Sequence, residues 1–181
     1  CNRKVLRMIT CLDIENTFSK KDSTPYSGSN QLVSVGYKTS IGNENYLCFY
    51  HSEKKPTPNN FSLLQSVLHS TTLLVGHNIK YDLQWLLHCG FTYDGQVWDT
   101  MGIEYLLARG MNREISLDAS CKRRAVQQKK TGLINNWEVG PDEMSWTILE
   151  EYGKQDVDST YDLAMVQAEL LDIDLKEWAT Q

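Results

Sequence analysis

Apolar residues fall in short runs separated by polar punctuation, and their period changes along the chain. Val5 to Leu12 is a mostly apolar run of the length of a buried strand. Residues 16–30 are polar, carry Pro25, Gly28 and several Ser, and read as a loop. Gln31 to Lys38 reads as a second strand, Gly42-Asn43 as a turn and Tyr46 to His51 as a third strand, which predicts a hairpin. Beyond Pro56 and Pro58 the period becomes helical from Asn60 to His69. Thr71 to Val75 is a fourth strand closed by Gly76. Asn78 is a candidate N-cap for a helix from Ile79 to Cys89, with Gly90 as its stop. Gln96 to Trp98 makes a short fifth strand, and Asp99-Thr100 caps a helix to about Arg109. Ser116 or Leu117 to Arg124 is helical. A long helix follows Gly140-Pro141, from Ser145 or Thr147 to beyond Leu171, with Thr147-x-x-Glu150 fitting a capping box. Three strands followed by alternating helix and strand predict an α/β fold: a mixed five-stranded sheet flanked by helices, in one domain spanning residues 1–181 with its core at about 5–171.

Composition narrows the class. The 181 residues are 41% hydrophobic and 23% charged, ordinary for a globular domain, and no apolar run is long enough to span a bilayer. The five cysteines form no C-x-x-C pair and are widely spaced, which argues against zinc-ribbon and disulfide frameworks and for reduced thiols in the cytoplasm or another reducing compartment. The chain opens on Cys with no signal-peptide pattern, as a segment of a longer polypeptide would. A net charge of −5 argues against holding nucleic acid by bulk electrostatics alone, but not against holding it through metal ions. Lys122-Arg123-Arg124 and Lys129-Lys130 form a local basic stretch, readable as a solvated helix face or as a track for phosphates.

The acidic residues carry the chemistry. Asp13 and Glu15 sit two apart at the end of the first strand, so their side chains share a face. Such a pair is either a solvated strand end or half of a site for a hard divalent cation. Asn78-Ile79-Lys80-Tyr81-Asp82 puts Asp82 one turn into a helix, as a dipole-favoured acid or as a site residue. Tyr152-Gly153-Lys154-Gln155-Asp156 stacks Tyr152 and Asp156 on one face of the long helix, together with Leu149, Thr160 and Leu163. An inward Asp there needs a partner, and Gly153 costs about 1 kcal/mol against Ala unless something approaches the backbone closely.

Taken together, the strand-borne D-x-E, the N-x-x-Y-D at a strand–helix junction and the late helical Y-x-x-x-D resemble the DEDD superfamily of 3′–5′ exonucleases in its tyrosine branch. They are most similar to the proofreading exonuclease domain of family A DNA polymerases. His77-Asn78-Ile79, Trp98-Asp99-Thr100-Met101, Tyr105-Leu106-Leu107, Ser116-Leu117-Asp118-Ala119 and Gln155-Asp156-Val157 agree with it, over about Val5 to Leu171. The histidine branch would have His at position 151, where Glu151 stands. The resemblance implies an RNase H-like sheet and two-metal hydrolysis with Mg²⁺ or Mn²⁺. Asp13 would bridge both ions, Glu15 and Asp156 would complete the first site, Asp82 would serve the second through water, and Tyr152 would orient the attacking water. Thr17, Phe18 and Asn78 are candidates for contacting the terminal nucleotide. The family often has Thr or Ser directly after the motif Glu, where this chain has Asn16. The implied substrate is a single-stranded 3′ end, DNA favoured, with a DNA polymerase in cis or in trans as partner and no membrane. RNA 3′ processing and a silent binding scaffold are the competing functions. The histidines His51, His69, His77 and His88 lack metal-ligand spacing and read as structural, and the tryptophans as packing residues.

Overall fold

The computed structural model describes residues 8–17, 22–126 and 139–178. Five strands form one sheet in the order β3-β2-β1-β4-β5: β1 Met8–Asn16, β2 Leu32–Thr39, β3 Glu44–Cys48, β4 Thr71–Gly76 and β5 Gln96–Asp99. The pairs β1/β2 and β2/β3 are antiparallel, and β1/β4 and β4/β5 are parallel, so the sheet is mixed as expected. The helices are α1 Asn60–Ser70, α2 Ile79–His88, α3 Thr100–Leu107, α4 Leu117–Arg123, α5 Trp146–Leu170 and the short α6 Leu175–Trp178.

Strand alternation divides the core. Leu12 and Ile14 of β1 join Val35, Tyr37 and Leu74 in packing against Leu64, Leu68, Ile79, Trp85 and Leu86 of α1 and α2. Ile9 and Cys11 point to the opposite face, with Val75 and Trp98, against Val157, Ala164 and Ala168 of α5. Asp13 and Glu15 continue this α5-facing row. Gly76 lets α2 turn back tightly against the end of β4, because a side chain there would overlap Ile79.

Several boundaries differ from the sequence reading for identifiable reasons. Strand β1 runs through the acidic pair to Asn16, because β2 goes on pairing with it to Leu32; Val5 to Arg7 lie outside the described residues. A register shift after Glu15 marks a β-bulge, and the consecutive residues Val33 and Ser34 both contribute to the α5 side. The capping box does not form. Ser145 is the N-cap of α5 and makes no side-chain cap bond, while the carboxylate of Glu53 accepts from Trp146 N at 2.9 Å. Glu150 is occupied with Trp146 Nε1 and Lys154. Asn78 is the residue before α2, but its side chain caps nothing; it is left-handed at φ 63°, ψ 42°, a region Asn tolerates. Asp99 does the capping, with Oδ1 accepting from Asn78 N at 2.9 Å and Met101 N at 3.0 Å.

The basic stretch is also corrected in part. Arg123 and Arg124 grip the fully buried carboxylate of Glu104 on α3, at 2.8 Å each. Gln167 of α5 donates to the same carboxylate at 3.0 Å and accepts from Trp98 Nε1 at 3.1 Å. Burial alone would raise the pKa of Glu104, but hydrogen bonds from Arg124, Gln167 and Arg123 outweigh it and hold the carboxyl below its ordinary range. These arginines therefore pin α4 to α3 and α5; Lys129 and Lys130 lie outside the described residues. Glu104→Ala is expected to lower unfolding free energy by roughly 3–5 kcal/mol, since it strands two partly buried guanidinium groups. Urea unfolding of the variant checks this.

Candidate active site

Strand β1 pairs with β4 only as far as Cys11–Val75, and then continues to Asn16 with that edge open. Backbone groups on such an edge need partners. Asp82 reaches in from the first turn of α2, and its Oδ1 accepts from the N–H of Ile14 at 3.1 Å. Asp82 thereby lies at the β1 strand end, beside the residue that separates Asp13 from Glu15. The location is the carboxyl end of β1, where the chain's connections diverge to β2 on one side and β4 on the other, the switch point at which α/β sheets bind ligands.

Helix α5 closes the site from above the other face. Its inward residues Leu149, Gly153, Asp156, Val157 and Thr160 are buried. Tyr152 and Asp156, one turn further along, lie on the same helix face, and the charge of Asp156 acts on the phenol. Burial first, then the negative fields of Asp156, Glu15 and Asp13, push the Tyr152 pKa far above its ordinary value. The phenol of Tyr46 is raised by burial and then by Glu15, with Asp13 and Asp156 adding to it. Asp13, Glu15 and Asp156 therefore share one electrostatic neighbourhood with Tyr152.

Asp82 is the outlier among these acids. Burial raises its pKa from 3.8 to about 8; the N–H groups of Ile14 and of Asp82 itself pull the other way, and Asp99 adds to the rise.

The donor set is all oxygen, which suits a hard divalent ion. Among the described residues no three His, Cys, Asp or Glu side chains are already gathered closely enough to hold one.

The candidate substrate residues fare differently. Asn78 is exposed beside the start of α2. Thr17 exchanges hydrogen bonds with Gln31: Thr17 N donates to its carbonyl at 2.9 Å, and Thr17 Oγ1 accepts from its N–H at 2.7 Å. Phe18 lies outside the described residues. Asn16, the departure from the family pattern, is turned inward. Its amide donates to Thr17 O at 2.7 Å and Ser23 O at 3.3 Å, and it accepts from the phenol of Tyr81 at 2.8 Å. His77 is held between Thr100 and Ile115 at 2.9 and 3.0 Å. Sequence reasoning passed over Tyr46, which stands on β3 with no acidic motif beside it; the nearby signal was Gly153.

The mixed sheet with helices on both faces and acidic residues at its switch point defines an RNase H-like nuclease fold. A 3′–5′ exonuclease domain family model of the DNA polymerase A type matches residues 15–170, and the chain belongs to that family. The match starts at Glu15, so Asp13 stands on its position in the strand. No curated protein matches the chain in sequence. Among solved structures, Brucella melitensis NrnC superposes with a TM-score of 0.62 at 21% identity, over 98% of this chain and 79% of that one. NrnC has also been solved with bound Mg²⁺ and bound to pGG. Pol1 of M. smegmatis, in complex with a DNA primer-template and dNTP, gives 0.59 at 16% identity over 92% of this chain and 24% of that one. The catalytic core of RRP6 from Trypanosoma brucei gives 0.56 at 18%, over 92% and 42%. No helix among the described residues is long and apolar enough to cross a membrane.

The raised pKa of Asp82 has a thermodynamic consequence. Its stabilising contribution is complete below pH 4 and is lost as pH rises through about 8, because ionisation is harder in the fold than in the unfolded chain. In EDTA, Asp82→Asn keeps an acceptor for Ile14 and should therefore become more stable than the parent by a few kcal/mol between pH 4 and 8. Urea titrations of both proteins across that window measure it, and a pH-independent difference contradicts it.

Proposed function

We propose that the chain removes nucleoside 5′-monophosphates from the 3′ ends of single-stranded DNA and serves proofreading in replication. The observation that carries this reading is the facing of Asp13 and Glu15 on β1 by Tyr152 and Asp156 on α5, with Asp82 bonded to the backbone between the first two. Asp13, Glu15, Asp82 and Asp156 would hold two Mg²⁺ or Mn²⁺ ions, with Asp13 shared, Glu15 and Asp156 completing one set and Asp82 serving the other through water. When bound, the ions supply an activated water, neutralise the scissile phosphate and stabilise the leaving 3′ oxygen.

The protein's own groups orient and discriminate. Tyr152 stays protonated at every working pH, so it directs the attacking water as a hydroxyl dipole and does not act as a base. Asp156, one turn along the same helix face, favours the neutral phenol by its charge. Glu15, at the outer end of β1, is suited to the terminal 3′ hydroxyl. Asn78, Thr17 and Phe18 are assigned to the terminal nucleotide, with Phe18 stacking on the last base. A DNA polymerase, in the same polypeptide or as a partner, would deliver the mispaired end.

Asp13→Ala should abolish Mg²⁺-dependent shortening of a 5′-labelled single-stranded oligonucleotide, and full activity in that variant sinks the assignment. Tyr152→Phe should keep metal binding and lose roughly 10- to 100-fold in kcat, the size expected for an outer-shell orienting group. A second reading, 3′ trimming of RNA, draws support from the fold shared with RRP6 and with NrnC, which was solved with pGG. Matched DNA and RNA oligonucleotides separate the two: faster shortening of DNA is expected, and a preference for RNA reverses the choice of substrate.

A further inference from the structure

Tyr46 stands on β3, directly across from Gly36 of β2, and Gly36 in turn faces Asp13 of β1. Its ring lies over Gly36: a side chain there would bring Cβ within 3.0 Å of Tyr46 Cδ2 and 3.1 Å of Val157 Cγ2. The same edge of the ring also meets the backbone of α5 at Gly153. A Cβ on Gly153 would overlap Tyr46 Cε2 and stand 2.6 Å from its hydroxyl and 2.7 Å from Cζ. The hydroxyl is bonded to Ser34 Oγ at 2.8 Å, and Ser34 pairs with Glu15. Trp146, at the start of α5, packs on the same ring with centroids 5.5 Å apart.

One aromatic ring thus fills a slot between two glycines, one opposite Asp13 and the other next to Tyr152. We propose that Tyr46 is a positioning residue, a spacer whose thickness sets the separation between the Asp13–Glu15 row on β1 and the Tyr152–Asp156 row on α5, and so tunes metal affinity. This rests on the exonuclease reading above. The ring does the spacing, and the hydroxyl only locks its tilt through Ser34.

Mn²⁺ calorimetry on the free protein, with no substrate, provides the test, alongside kcat and KM for a single-stranded DNA oligonucleotide. Tyr46→Leu thins the spacer and Gly153→Ala thickens it. Each should weaken Mn²⁺ binding by about tenfold or more and lower kcat, with KM for the oligonucleotide changed by less than about twofold. Tyr46→Phe should retain most of the affinity. Combining Tyr46→Leu with Gly153→Ala should recover part of what Gly153→Ala loses, because the smaller residue makes room for the methyl group. Circular dichroism reports folding, and if Gly153→Ala does not fold, Tyr46→Leu alone decides. A wild type that binds Mn²⁺ and shortens DNA, with a folded Tyr46→Leu that matches it in both, overturns the spacer role while leaving the exonuclease reading intact. A wild type that binds no Mn²⁺ overturns both.

Discussion

Everything at the site depends on strand β1 outrunning its parallel neighbour. Pairing with β4 stops at Cys11–Val75, and the last residues of β1 keep only their antiparallel partner β2. An exposed edge inside a protein needs hydrogen-bond acceptors, and the N–H of Ile14 obtains one from Asp82. That bond ties α2 to the strand carrying Asp13 and Glu15. Had β4 continued for one more pair, its backbone would have taken the place of Asp82.

Two of the buried acids among the described residues, Glu104 and Asp82, are handled in opposite ways. Glu104 is neutralised by Arg123 and Arg124 and satisfied by Gln167, so its carboxyl is held below the ordinary range. Asp82 receives only backbone donors against its burial, and its pKa rises to about 8. The first arrangement fixes three helices and leaves no charge to use. The second leaves the ionised form of the carboxyl disfavoured by burial. The two environments differ, although both are acids in the first two turns of helices that follow parallel strands.

Most of the fold was legible because it is written in local signals. The five strands appear in the order that periodicity gives, as do the helix stop at Gly90 and the cap at Asp99, although β3 runs Glu44–Cys48 and not Tyr46 to His51. The acidic rows were legible for the same reason: period two puts Asp13 and Glu15 on one face, and i,i+4 spacing stacks Tyr152 on Asp156. What failed depended on tertiary partners. The capping box at Thr147 was displaced by Glu53, a residue far away in sequence. The basic run at 122–124 looked free because its buried counter-ion, Glu104, lies about five helical turns away in sequence. The bulge at Val33–Ser34 has no Gly or Pro to announce it, and Asn16 gave no hint that it would turn inward to Tyr81 and Ser23.

Gly153 was the one anomaly whose cause was anticipated in kind but not in identity. A glycine in the middle of a 25-residue helix gives up about 1 kcal/mol of helix propensity. In return it allows a buried aromatic ring to lie against the helix backbone, and burying a side chain of that size contributes more than the lost propensity, about 1.5–3 kcal/mol. The balance therefore favours glycine only while Tyr46 is present. With a small residue on β3, alanine would be the better choice at position 153, and the distance from β1 to α5 would be set by whatever side chains then met. The pair is best understood as a single unit: an aromatic residue on the sheet and a missing side chain on the helix, jointly setting the spacing between the Asp13–Glu15 row and the Tyr152–Asp156 row.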